Sequence, residues 1–102
     1  MKFSKINSNG VKCDEGFVVQ RVDRNEEEYR EDNYRLKIHI EDWLTPPDPL
    51  GQRYYGIGFI LSEIQRWEPP HENETITEEK REQIKQRLIA AMKFWGYQYD
   101  FR

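Results

Sequence analysis

Apolar and polar residues alternate most strictly over Tyr34-Arg35-Leu36-Lys37-Ile38-His39-Ile40-Glu41. Leu36, Ile38 and Ile40 fall on one side, and Arg35, Lys37, His39 and Glu41 on the other. A period of two predicts a half-buried strand. A second alternation sets Tyr55, Ile57, Phe59 and Leu61 against Tyr54, Gly56, Gly58 and Ile60. Its glycines point to a bulge, or to a ring or backbone lying close on that face. Phe17–Val22 is rich in strand formers. Phe3–Ile6 is a weaker opening strand, followed by the turn pair Asn9-Gly10. The charged run Asp23–Glu28 predicts a turn or a strand end. Thr45-Pro46-Pro47-Asp48-Pro49-Leu50-Gly51 predicts a stiff loop, because proline lacks the N–H donor and fixes its own backbone angle.

From Thr77 the period lengthens. Ile84, Leu88, Ala91, Met92 and Trp95 form one apolar stripe at helical spacing. Thr77 is a good N-cap, and Glu78 and Glu79 suit the positive end of the helix dipole. Thr75 with Glu78 also fits a capping box, which would start the helix earlier. Gly96 is a natural C-terminal stop. Tyr97-Gln98-Tyr99-Asp100-Phe101 then alternates again as a last strand. Strands joined mostly by short turns favour antiparallel pairing. The expected fold is α+β: an antiparallel sheet of several N-terminal strands, packed by one long C-terminal helix, with a short last strand. A chain of 102 residues suits a single domain spanning 1–102.

Composition sharpens this picture. Charged residues make up 34% of the chain, against about 25% in an average domain. Yet 14% of residues are aromatic, which disordered chains are not. A thin, aromatic-rich core under a charged surface follows. The net charge of -3 disfavours nucleic acid or an anionic membrane as a general partner. Cys13 is the only cysteine, so no internal disulfide forms, and a reducing, cytoplasmic setting is the simplest inference. Met1–Gly10 carries no apolar run of signal-peptide length, and no stretch approaches the ~18 apolar residues of a membrane span.

Residues 64–70, Ile64-Gln65-Arg66-Trp67-Glu68-Pro69-Pro70, set a large indole directly against a backbone stop. The stretch reads as a rigid crossover from sheet to helix, with Trp67 as its structural anchor and Pro69 and Pro70 restricting the unfolded chain. Together with the acidic residues that follow, the Ile76-Thr77-Glu78-Glu79 helix start, the amphipathic helix ending near Phe94 and Gly96, and the closing strand, it resembles the small bacterial immunity proteins of polymorphic toxin systems. The likeness runs from about Tyr54 to Phe101, and the Trp-acid-Pro-Pro piece is its most specific part. The resemblance implies a sheet with one C-terminal helix and a role in binding a partner toxin, not in catalysis.

No catalytic constellation competes with that reading. His71-Glu72 has Thr75 where a metalloprotease helix would carry its second histidine, and it follows two prolines. Gly56-x-Gly58 lacks the third glycine of a dinucleotide loop. Pro46-x-x-Pro49 matches a minimal polyproline ligand but reads as a loop stiffener. We therefore expect no enzyme, no cofactor and no metal.

Charge offers the remaining lead. Glu26, Glu27 and Glu28 lead one acidic cluster, and Glu72 and Glu74 belong to another. Each reads either as solvated surface or as an acidic face that steers a basic toxin domain. Trp43, at the head of the proline loop, would add an apolar anchor. The candidate partner-binding residues are thus Glu26, Glu27, Glu28, Trp43, Glu72 and Glu74, and the expected function is neutralisation of a toxin by occlusion. The alternative is a nucleic-acid-binding or regulatory module using Arg35, Lys37 and Tyr54 or Tyr55 on an exposed sheet face. A homodimer through an exposed sheet edge is compatible with either.

Overall fold

The protein is described by a computed structural model covering residues 1–102, the side chain of Glu63 excepted. Seven strands lie side by side in chain order: β1 (Phe3–Asn7), β2 (Gly10–Cys13), β3 (Phe17–Asp23), β4 (Glu26–Glu31), β5 (Tyr34–Leu44), β6 (Tyr55–Phe59) and β7 (Gln98–Phe101). A short 3-10 turn spans Leu61–Glu63, and one helix, α1 (Glu78–Trp95), precedes β7. The architecture is α+β, as the periodicities predict.

Neighbours from β1 to β6 pair antiparallel, because each connection reverses the chain. The last pair, β6 with β7, is parallel. Here the chain passes through α1, a crossover that returns it in its starting direction. Strand β5 serves two partners. Its first half, Tyr34–His39, pairs with β4, and its second half, Ile40–Leu44, pairs with β6. Pairing that shifts partners along one strand curls the sheet, and the molecule is elongated, 50 × 27 × 24 Å.

Two strands escape the sequence pattern. Strand β2 has only four residues. The first half of strand β4, Glu26-Glu27-Glu28 of Glu26–Glu31, falls within the run assigned to a turn or strand end. Glutamate is a poor strand former, but tertiary pairing on both edges overrides propensity. The turn itself is confined to Arg24-Asn25. Strand β5 runs beyond the Tyr34–Glu41 alternation through Trp43 to Leu44, and the proline loop follows from Thr45 as predicted.

The core face of the sheet carries Val11, Phe17, Val19, Tyr29, Leu36, Ile38, Ile40, Ile57 and Phe59, all buried. Helix α1 lays Ile84, Leu88, Ala91 and Met92 onto it. Trp95, the fifth residue of the predicted stripe, is only half-buried and stacks on Tyr97 at 5.7 Å. Thr77, not Thr75, caps the helix, with its Oγ1 accepting from the Lys80 N–H at 3.1 Å. Gly96 ends it at φ 78°, a left-handed conformation that needs glycine, and its N–H closes onto the Met92 carbonyl at 2.8 Å.

Candidate partner-binding surface

The crossover between β6 and α1 is tied down at several points. Glu68 N–H donates to the Arg35 carbonyl of β5 at 2.8 Å, and Arg66 bridges Thr75. Arg81 of α1 donates through Nη2 to the Ile64 carbonyl at 2.9 Å. Ile64, Trp67 and Ile76 are buried beneath it, and Trp67 packs edge-on against Tyr34 at 4.9 Å. The Pro69-Pro70 peptide is cis. Apolar burial of the indole and backbone pairing to β5 thus fix the path of an otherwise polar segment.

On this base stands a hydrogen-bonded cluster that sequence inspection did not single out. The His71 ring stacks on Tyr34 at 3.9 Å with the planes 19° apart. His71 Nδ1 lies 2.6 Å from Glu74 Oε2, and the Tyr34 hydroxyl donates to Glu74 Oε1 at 2.8 Å. The Tyr34 hydrogen bond, then the histidine, hold the Glu74 carboxyl below its usual range. The same bond pushes the Tyr34 hydroxyl up. Only the His71/Glu74 spacing was a local sequence signal. Tyr34 arrives from 40 residues away in sequence.

Three cavities open around this cluster. One of ≈ 380 Å³ runs along Arg66, Glu72, Glu74 and Arg81. One of ≈ 310 Å³ lies between Glu31, Tyr34, Trp67 and Lys80. The third, ≈ 570 Å³, is bounded by Arg30, Arg35, Pro70 and His71. Glu72 is exposed at the first of them, and Glu74 borders the first two.

The other candidate residues lie elsewhere. Glu27 corrects the expectation of a free acidic surface on residues 26–28. Its position in β4, opposite Ile38 on β5, turns it onto the core face, where it is 1% exposed. Its Oε2 has no hydrogen-bond partner. Desolvation pushes its carboxyl up to about 8, Arg21 opposing the shift and Asp42 adding to it. At neutral pH it is largely uncharged, so it offers a partner neither contact nor charge. Glu26 and Glu28 point to the opposite, outer face, and Glu28 pairs with Arg30 at 3.0 Å. Glu31 is likewise engaged, accepting from Lys80 at 3.0 Å.

Trp43 is half-buried in β5, not presented by the loop. Its Nε1 donates to Asp100 Oδ1 of β7 at 3.2 Å, and a Cβ at Gly56 would fall inside its ring. That close approach is the reason for glycine there, as the alternation in β6 had suggested.

Beside Glu27 sits a second polar group. Arg21 donates to both Asp42 oxygens at 2.8 and 2.9 Å and to the Tyr55 hydroxyl at 2.6 Å, and Tyr55 donates to Asp42 at 2.7 Å. These bonds satisfy one another and tie β3 to β5 and β6. For metal binding, Cys13, Asp14 and Glu15 bring one ligand atom each within 4.8 Å of one another. Cys13 is buried and donates to Asp14 at 3.5 Å, while Asp14 and Glu15 are exposed and Glu15 lies 3.6 Å from the N-terminal ammonium. Among the described residues, no helix is long and apolar enough to cross a membrane.

Neither a curated protein nor a solved structure matches the chain. A family model described as Immunity protein 74 matches residues 21–102, from β3 through the C-terminus. That span takes in the strands carrying Tyr34, the crossover carrying His71 and Glu74, and the whole of α1. It reaches further toward the N-terminus than the resemblance from Tyr54 onward. With most of its length matched, the chain belongs to the Immunity protein 74 family, the immunity proteins of toxin systems.

Proposed function

We propose that the protein works in the cytoplasm as a stoichiometric inhibitor, binding a toxin domain and occluding it without catalysis. Membership of an immunity family over residues 21–102 is the observation that carries this reading. The crossover surface favours it as the site of contact. There Tyr34, His71 and Glu74 are locked together by stacking and hydrogen bonds, so little side-chain entropy is lost on docking. Exposed Glu72 beside them supplies charge for steering a basic partner, with Glu26 and the ring of Trp43 as outlying contacts.

The test starts from affinity capture of the tagged full chain from its native cells, followed by titration of the captured toxin's activity. Activity falling to zero at one equivalent supports occlusion. A toxin that stays fully active in the complex, or one silenced by sub-stoichiometric protein, refutes it. Reversal of Glu72 to lysine, which leaves the Glu74 bonds to Tyr34 and His71 in place, is then expected to slow association with little change in melting temperature. Unchanged association at low salt would remove the crossover from the interface.

A further inference from the structure

The outer face of the sheet carries a row of cations that the acidic net charge conceals. Register places Lys12 of β2, Val18 of β3, Arg30 of β4 and Arg35 of β5 in one line across four strands. Strands lie about 4.8 Å apart, so the line spans about 14 Å. Lys37 stands on the same face of β5, next to Arg35. Arg30 and Arg35 are direct cross-strand partners, a like-charge pairing that destabilises a sheet. Glu28 offsets only part of it. Its Oε1 lies 3.0 Å from Arg30 Nε, which has no aligned hydrogen-bond partner. Among the described residues, Lys12, Arg35 and Lys37 form no ion pair, and all three are exposed.

Several acids are engaged away from this row: Glu31, Glu41, Asp42 and Glu74 are held by Lys80, Arg102, Arg21 and His71, and Glu27 is buried. The positive patch is therefore a local excess on the outer face of a chain that stays acidic in sum. The ≈ 570 Å³ cavity joins this patch to the crossover, with Arg30 and Arg35 on one side and His71 on the other.

We propose that Arg30, Arg35 and Lys37 form a docking site for an acidic surface of the partner protein. This rests on the toxin-binding reading and adds the sign of the partner's charge at this face. Two observations favour a protein over RNA. Glu28 and Asp32 lie within or beside the patch, and they would repel a regular line of phosphates but can pair with cations of a mixed-sign protein surface. The rings that border the patch are two histidines: His71 has one face covered by Tyr34, and His39 stands opposite Glu26, so neither adds to a row of free aromatic faces on which successive bases could stack.

The full chain would be tested against a fluorescein-labelled oligoglutamate peptide and a labelled oligouridylate of equal charge, by anisotropy at low and raised salt. The R35E/K37E double variant is expected to weaken oligoglutamate binding by about tenfold or more, and R35Q/K37Q by less. The Arg35 change removes its like-charge contact with Arg30, whereas Lys37 stands opposite Glu28, so R35Q/K37Q should melt close to the wild type and R35E/K37E slightly lower but still cooperatively. Oligouridylate binding as tight as oligoglutamate, or equal affinities across the three proteins, overturns the proposal. A toxin arm separates the two readings. If the wild type inhibits the captured toxin and R35E/K37E associates as fast, this site is wrong and toxin binding stands. If the wild type inhibits no toxin, the functional reading falls, and the peptide arm alone decides the site.

Discussion

Replacing Glu27 by glutamine should flatten the pH dependence of folding stability. In the unfolded chain this carboxyl titrates at its ordinary 4.5, and in the folded protein burial pushes it up to about 8. Between those values the folded state binds the extra proton. The contribution of Glu27 is therefore fully present at low pH and is lost as pH rises toward about 8. A shift of this size corresponds to about 5 kcal/mol over the whole window, roughly half of it between about pH 5.5 and about pH 7.5. Glutamine keeps the shape of the protonated acid and cannot ionise. The assay is urea unfolding of wild type and E27Q across that range. Subtracting the two curves cancels the titration of the carboxylates remote from Glu27, leaving its own contribution and its coupling to Asp42. The variant should match the wild type near the acidic end and exceed it progressively above. Parallel curves would refute the reasoning, since they would mean that Glu27 is ionised in the folded protein or reached by solvent.

Gly56→Ala should destabilise the fold by about 1–3 kcal/mol, because the new methyl must displace the Trp43 ring and its bond to Asp100. Denaturant unfolding with tryptophan emission reads both effects, and an unchanged midpoint would show the ring is free to move. Trp67→Ala should cost about 3–5 kcal/mol, as expected for a large ring that is 6% exposed, and a thermal melt within error of wild type would deny it an anchoring role. Thr77→Ala should cost about 1 kcal/mol through the lost bond to the Lys80 N–H, measurable by urea unfolding, whereas Thr75→Ala should cost no comparable helix cap.

The sequence by itself determined the elements whose period is strong. The alternation of Leu36, Ile38 and Ile40, the stripe Ile84–Leu88–Ala91–Met92, the cap at Thr77 and the stop at Gly96 are local properties, legible because backbone geometry repeats with a fixed period. It also pointed to the crossover, since two prolines behind a tryptophan constrain the chain wherever they lie. Tertiary structure decided the rest. Strand β4 exists because β3 and β5 flank it, not because three glutamates favour extension. The same pairing turned Glu27 inward and Glu28 outward, so one acidic run became a buried neutral group and an ion-pair partner. No local signal joins Tyr34 to His71, or Arg30 to Arg35 and Lys12. Those neighbours are set by register between strands, and register depends on the whole sheet burying its apolar face at once.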